Sequence, residues 1–233
     1  MKNSKEYSAR LKKAFQSWKR LSSALEPVSY EDPIEALVVG HISQFYTEAD
    51  TKKIYKRIQN HFVDLNDLRV ARSEEILDVM GDHSPQAQTA AQSLTRMLNQ
   101  ICDRYDGLSL ASLKSQGKRQ GRKAVEDIEG VSRFVVDYCF LTALGGHAVP
   151  LTDKMKEYLI REQLICPESS EEEIHGFLER QISASDAWRF YALLRAAAEG
   201  TLSSLEKARA SDSEGKSGKK TTKTKKRKES SKK

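Results

Sequence analysis

The chain has 233 residues, 38% of them hydrophobic and 31% charged, which suffices for one good core or two small lobes. It contains no run of about 18 apolar residues, which excludes a membrane-spanning helix, and MKNSKEYSARLKK at the N-terminus lacks an apolar signal core, so an intracellular protein is expected. The net charge of +6 is uneven: residues 216–233 hold ten Lys/Arg and one Glu, and subtracting their +9 leaves −3 on the other 215 residues, so any polyanion affinity of the body must come from a local patch.

In chain order, Tyr7, Leu11, Phe15, Trp18 and Leu21 recur at three- and four-residue steps and predict an amphipathic helix over residues 4–24, ended by Pro27. Asp32-Pro33 is an N-cap followed by proline at the first helical position. The helix that follows is strongly apolar through Ile34, Leu37, Val38, Ile42 and Phe45. Ile54, Tyr55, Ile58 and Phe62 form the next stripe. Ser73-Glu74-Glu75-Ile76 opens a short helix with acidic residues at its positive end. Ser84 caps a long helix that starts at Pro85, carries Ala87, Ala90, Leu94, Met97, Leu98, Ile101 and Tyr105, and closes at Gly107. No window alternates with period two, so no sheet is expected, and these stripes read as core rather than as a cofactor box.

Residues 114–123, KSQGKRQGRK, contain five basic residues and no acid, and read in isolation as a solvated loop. They lead into IEGVSRFVV, where Gly130 sits between two apolar helical runs. Glycine there permits φ > 0, and N–H groups ahead of a helix N-terminus form a ready anion site. Beside such a turn, Lys118, Arg119, Arg122 and Lys123 become candidate contacts to a phosphate backbone. Gly145-Gly146 ends the second helix, and a new one starts near Thr152-Asp153. Met155, Tyr158, Leu159 and Leu164 continue the pattern. Ser170 with Glu173 reads as a capping box, and Ser185-Asp186 starts a last helix that ends near Gly200. The segment from about residue 208 has almost no apolar residues and is expected to be disordered. Cys102, Cys139 and Cys166 are odd in number and share no CxxC spacing, so free thiols are expected; His83 and His147 lack companion ligands, so no metal site is expected.

IEGVS, FVVDYCFLTALGG and VPLTDKM resemble, without a gap, the helix–hairpin–helix core of the endonuclease III branch of DNA glycosylases. That family has a leucine-proline-glycine-valine-glycine turn, an amphipathic helix, and a glycine-containing loop leading to valine-aspartate-threonine-histidine. HISQFYTEADTKKIYKRI likewise resembles its serine–glutamine turn and the helix after it. The resemblance spans roughly residues 10–200 and is best at 125–158.

It implies an all-α, two-lobed fold: a helical barrel lobe of residues 31–140 carrying the hairpin, a terminal lobe of residues 1–30 plus 141–205, and a lysine-rich tail, 206–233. It also implies double-stranded DNA with a damaged or missing base as partner, a base-excision-repair setting, and a monomer. Gln44 would fill the gap left by an extruded base; Gly130, Val131, Ser132 and Arg133 would hold phosphate, with a monovalent cation at the hairpin as an option. The departures fall at the chemistry. The family's Schiff-base lysine aligns with Phe134 and its aspartate with Thr152, leaving Asp153 as the only nearby carboxylate. Cleaving a base from deoxyribose builds positive charge on the sugar, which threonine cannot offset. The four-cysteine iron–sulfur loop of many members cannot be built here. Three readings stay open: a hydrolytic glycosylase without Schiff-base lyase activity, a non-catalytic module that binds DNA lesions, and a helical interaction scaffold with a polyanion-binding tail.

Overall fold

The protein is described by a computed structural model covering residues 4–20 and 27–203. The expected disorder of the C-terminal tail, and the continuation of the first helix beyond Arg20, lie outside the described residues. Among those residues all regular structure is helical. The α-helices are α1 (Ser4–Lys19), α2 (Pro33–Ser43), α3 (Glu48–His61), α4 (Leu65–Val70), α5 (Ser73–Met80), α6 (Pro85–Tyr105), α7 (Lys118–Glu126), α8 (Arg133–Thr142), α9 (Asp153–Arg161), α10 (Glu171–Gln181) and α11 (Ala187–Glu199), with short 3₁₀ turns at Ala111–Lys114 and Ala184–Asp186.

α2 is the axis of the packing. Every residue in it except Glu35 is buried, which explains its lack of a polar face. Asp32 caps it by accepting the Ile34 N–H at 3.0 Å, and the same carboxylate accepts the Leu110 N–H at 2.9 Å, which pins the loop after α6 to the start of α2. α2 packs most extensively on α8 and also touches α3 and α6. The two central helices approach closely at Gly40, where an added Cβ would lie 3.0 Å from the Tyr138 ring. Burying Ile34, Leu37 and Ile42 contributes roughly 1.5–3 kcal/mol per side chain. Around this pair, α4 and α5 lie on α6, α7 lies on α8, and α11 takes α1, α8 and α9. Most of the buried apolar side chains form one connected cluster.

One helix and the start of another were not expected. α4 is six residues long with only Leu68 buried, too short for a periodic signal, and is held by the Asp64 carboxylate on the N–H groups of Asn66 and Asp67. The basic run that reads as a loop is helical from Lys118 onward, preceded by Gly117 at φ +89°. Cys139 and Cys166 are buried, Cys102 is half-buried, and all three are free thiols. No helix among the described residues is long and apolar enough to cross a membrane.

Candidate functional site

The hairpin is built as its sequence indicates. α7 ends at Glu126, the Val131 N–H donates to the Ile128 carbonyl at 3.3 Å, and Gly130 takes φ +81°. α8 then starts with Ser132 as its N-cap. The Ser132 hydroxyl accepts the Val135 N–H at 3.4 Å and donates to Gln44 Oε1 at 2.7 Å. Gln44 in turn donates from Nε2 to the His41 carbonyl at 3.2 Å. A serine where the resembled family has glycine therefore joins the serine–glutamine turn to the hairpin. Below the turn, His41 is 1% exposed and lies 2.8 Å from the Ser93 hydroxyl; burial drives its pKa down to about 4.

A second clamp holds the same turn from α11. Arg195, 3% exposed, donates to the Ser43 carbonyl at 3.0 Å, the Tyr46 carbonyl at 2.7 Å, the Tyr191 hydroxyl at 2.7 Å and Glu199 at 2.8 Å, and also to the Ser43 hydroxyl. Glu199 then accepts the Glu48 N–H at 3.0 Å and so caps α3. Burial opposes the charge on Arg195, but Tyr191, Glu48 and Glu199 hold the guanidinium ionised.

Between the turn, the hairpin and the start of α9 lies a cleft of about 620 Å³. Gln44, Phe45, Ser132, Arg133, Phe134, Leu151, Thr152, Asp153, Lys154, Met155, Lys156, Glu171, Arg195 and Glu199 are among the residues that line it. Six sequence candidates from three separate segments of the chain thus share one wall system: Gln44, Ser132, Arg133, Phe134, Thr152 and Asp153. Their chemistry is limited. Phe134 is 6% exposed, stacked on Tyr138 with ring centres 6.1 Å apart and tilted against Tyr191 at 6.5 Å. The Thr152 hydroxyl caps α9 by accepting the Met155 N–H at 3.3 Å. The Asp153 side chain is 90% exposed and paired with Lys156 at 2.7 Å. Burial works against the Lys156 charge, but Asp153 and Glu171 hold its pKa above the ordinary lysine value.

The remaining candidates lie outside the cleft. Lys118, Arg119 and Lys123 are exposed on α7, and Lys118 and Arg119 crowd positive charge onto the positive end of that helix. Gly130 is exposed and Val131 half-buried at the hairpin tip. Arg122 differs: its guanidinium pairs with Glu126 at 2.8 Å and Asp137 at 2.7 Å and lies 5.0 Å from the Phe140 ring centre. Sequence reasoning missed Arg195 and Asp137. The available signal was a lone charge inside an apolar helix, as in ALLRAAA and FVVDYCF.

No protein-family model matches the chain, and neither does any curated protein. Solved structures do match it. A trapped endonuclease III–DNA covalent intermediate superimposes with a TM-score of 0.63 at 16% identity, covering 84% of this chain and 86% of that one. An 8-oxoguanine glycosylase/lyase of Clostridium acetobutylicum in complex with double-stranded DNA gives 0.64 at 16% identity, covering 85% and 71%. A 3-methyladenine DNA glycosylase of H. pylori bound to 1,N6-ethenoadenine gives 0.57 at 15% identity, covering 80% and 97%. All-helical among its described residues, with a hairpin at Gly130 and a cleft beside it, the chain has the fold of the helix–hairpin–helix DNA glycosylases.

Proposed function

We propose that this chain binds duplex DNA containing a damaged or missing base and does so without Schiff-base chemistry. The hairpin and the exposed basic face of α7 take the phosphate backbone, and the cleft receives the altered nucleotide. One observation carries the reading. A cleft lies beside the hairpin, with Gln44 and Arg133 on its wall, while the two positions that the resemblance assigns to chemistry are occupied by a packed phenyl ring and a helix-capping hydroxyl. Phe134 offers no amine, so no imine to an abasic sugar can form there. Thr152 offers no charge to a developing cation, and loss of one such electrostatic contribution lowers a rate by about 100- to 1,000-fold. The reading needs neither an iron–sulfur cluster nor a second chain.

A hydrolytic glycosylase is the second reading, favoured by Asp153 standing at the rim of the cleft. Against it stand the exposure of that carboxylate and its pairing with Lys156, which put a solvated ion pair where a carboxylate facing the sugar is needed. Duplexes carrying uracil, an oxidised pyrimidine, an alkylated purine or an abasic site separate the readings when base release, borohydride trapping and binding are followed together. Preferential binding to altered duplexes with neither release nor trapping is expected. Base release abolished by Asp153→Asn would establish the hydrolytic reading instead. Binding that vanishes with residues 208–233 would leave only a polyanion-binding tail on a helical scaffold.

A further inference from the structure

Behind the hairpin lies a charged cluster that the proposed function leaves unused. Asp137, on α8, is 0% exposed. Its Oδ1 takes Arg122 of α7 at 2.7 Å, and its Oδ2 has Arg133 at 3.6 Å and His175 Nδ1 of α10 at 3.3 Å. Yet Oδ2 accepts no hydrogen bond, and both ring nitrogens of His175, itself 1% exposed, are also without one. Buried polar atoms are rarely left this way, because each costs about 1–3 kcal/mol. Oδ2 and Nδ1 face each other at 3.3 Å, close enough for one proton to sit between them; with the imidazole's own proton on Nε2, toward Glu171, that bridging proton is an added one on Oδ2. The cluster also reaches solvent, since His175 Nε2 is 3.8 Å from Glu171, a half-exposed carboxylate on the cleft wall.

We propose that contact of Arg133 with a DNA phosphate is coupled to uptake of one proton by the Asp137–His175 pair. This rests on the DNA-binding reading above. Arg133 is the first residue of α8, its side chain is 39% exposed, and its 3.6 Å contact with Asp137 is loose. When the guanidinium turns outward to a phosphate, Oδ2 loses a cation that offsets its charge. A fully buried carboxylate in that state is neutralised by a proton, which enters from solvent past Glu171 and His175 and is shared as Oδ2–H···Nδ1. Charges face the pair from every neighbouring helix: Arg122 and Glu126 on α7, Arg133 on α8, Lys156 on α9, and Glu171 and Glu179 on α10. Burial already raises the Asp137 pKa against the pull of Arg122 and Arg133, and burial, then Arg133, lowers that of His175, so protonation of Asp137 rather than of the imidazole is the favoured form.

Two measurements on the full chain test this. Calorimetric binding of a duplex with a tetrahydrofuran abasic-site analogue, in two buffers of different ionisation enthalpy, counts protons. For a midpoint raised from about 6 by about one unit, uptake of about half a proton per duplex is expected for the native chain at about pH 6.5, approaching one only for a larger rise, with affinity weakening about threefold per pH unit there on raising pH. Asp137→Asn, checked for folding by circular dichroism, should bind with no proton uptake. The second measurement needs no DNA: the carboxyl carbon shift of Asp137 is titrated by NMR in the native chain and in Arg133→Ala. Removal of the guanidinium should raise the Asp137 midpoint by about one unit or more. Binding without proton uptake, unchanged uptake in Asp137→Asn, or an unmoved midpoint in Arg133→Ala would each overturn the coupling. Native binding no tighter than that of Arg133→Ala would also overturn it, by removing the phosphate contact, whereas failure of the native chain to bind the duplex at all would remove the DNA reading, while the titration reports on the pair by itself.

Discussion

Arg195 is the residue whose loss should tell most about how the cleft is held. Its guanidinium satisfies two turn carbonyls, Ser43 and Tyr46, neutralises a Glu199 carboxylate that is only 9% exposed, and bonds the Tyr191 hydroxyl. Arg195→Met removes the charge while keeping much of the volume. It leaves Glu199 buried with the single Glu48 N–H as its main compensation and strands both carbonyls. Breaking a buried ion pair by removing one partner costs about 3–5 kcal/mol, a large fraction of the roughly 5–15 kcal/mol that stabilises a domain. Arg195→Lys keeps the charge but cannot span both carbonyls and the hydroxyl at once, so a loss of about 2 kcal/mol is expected from the missing hydrogen bonds. Urea unfolding followed by circular dichroism at neutral pH measures both variants. Equal losses in the Met and Lys variants would refute the part assigned to the charge, and a loss below about 1 kcal/mol in Arg195→Met would refute the clamp, because charge and fork geometry would then both be dispensable.

Three further outcomes are expected. Because the His41 pKa falls from 6.5 unfolded to about 4 folded, the unfolded chain binds the extra proton, so stability drops as pH falls through that window; urea titrations at pH 7 and about pH 4.5 should show His41→Gln losing about 2 kcal/mol less than the native chain. A Cβ added at Gly146 overlaps the Phe140 ring, so Gly146→Ala should lower stability by about 1–3 kcal/mol, whereas Gly107→Ala, which meets nothing within 4 Å, should stay within about 0.5 kcal/mol of native in the same assay. Lys118→Ala and Lys123→Ala should each weaken duplex binding and reduce the slope of log affinity against log salt by about one, measured by fluorescence anisotropy; a slope unchanged in both would take α7 off the backbone.

What could be read from the sequence was whatever is encoded locally. Gly130 between two apolar helical runs gave the hairpin, Thr152 gave the cap of α9, and Ser170 with Glu173 gave a capping box that the structure contains. Each involves a few adjacent residues. The clamps were not legible because their partners are distant: Ser132 meets Gln44 across 88 residues, and Arg195 meets Ser43 across 152. The start of α7 was missed for another reason. A basic run with no side-chain cap, following Gly117, carries none of the usual marks of a helix N-terminus, and its helix is fixed by Gly121 and Val125 burying against their neighbours.

Asp137 and Arg195 share a property that bears on what this molecule does. Each is a buried charge in an otherwise apolar helix, and well-packed apolar residues in such places are often neutral or stabilising by comparison. Removing either charge alone is costly because its partners stay buried, but a bundle with the whole ion-paired set replaced by apolar residues could be as stable. What they supply is position. Asp137 ties Arg122 before the turn to Arg133 after it, and Arg195 fixes the backbone from which Gln44 and Phe45 reach the cleft. The charged groups thus hold the shape of a hairpin and a turn on either side of the cleft, while a phenyl ring and a capping hydroxyl stand at the two positions that the resemblance assigns to chemistry. On the reading proposed above, these buried charges hold the cleft in shape for recognition of what enters it, and Arg133, held loosely by one of them and exposed at the hairpin, is where recognition would be felt inside.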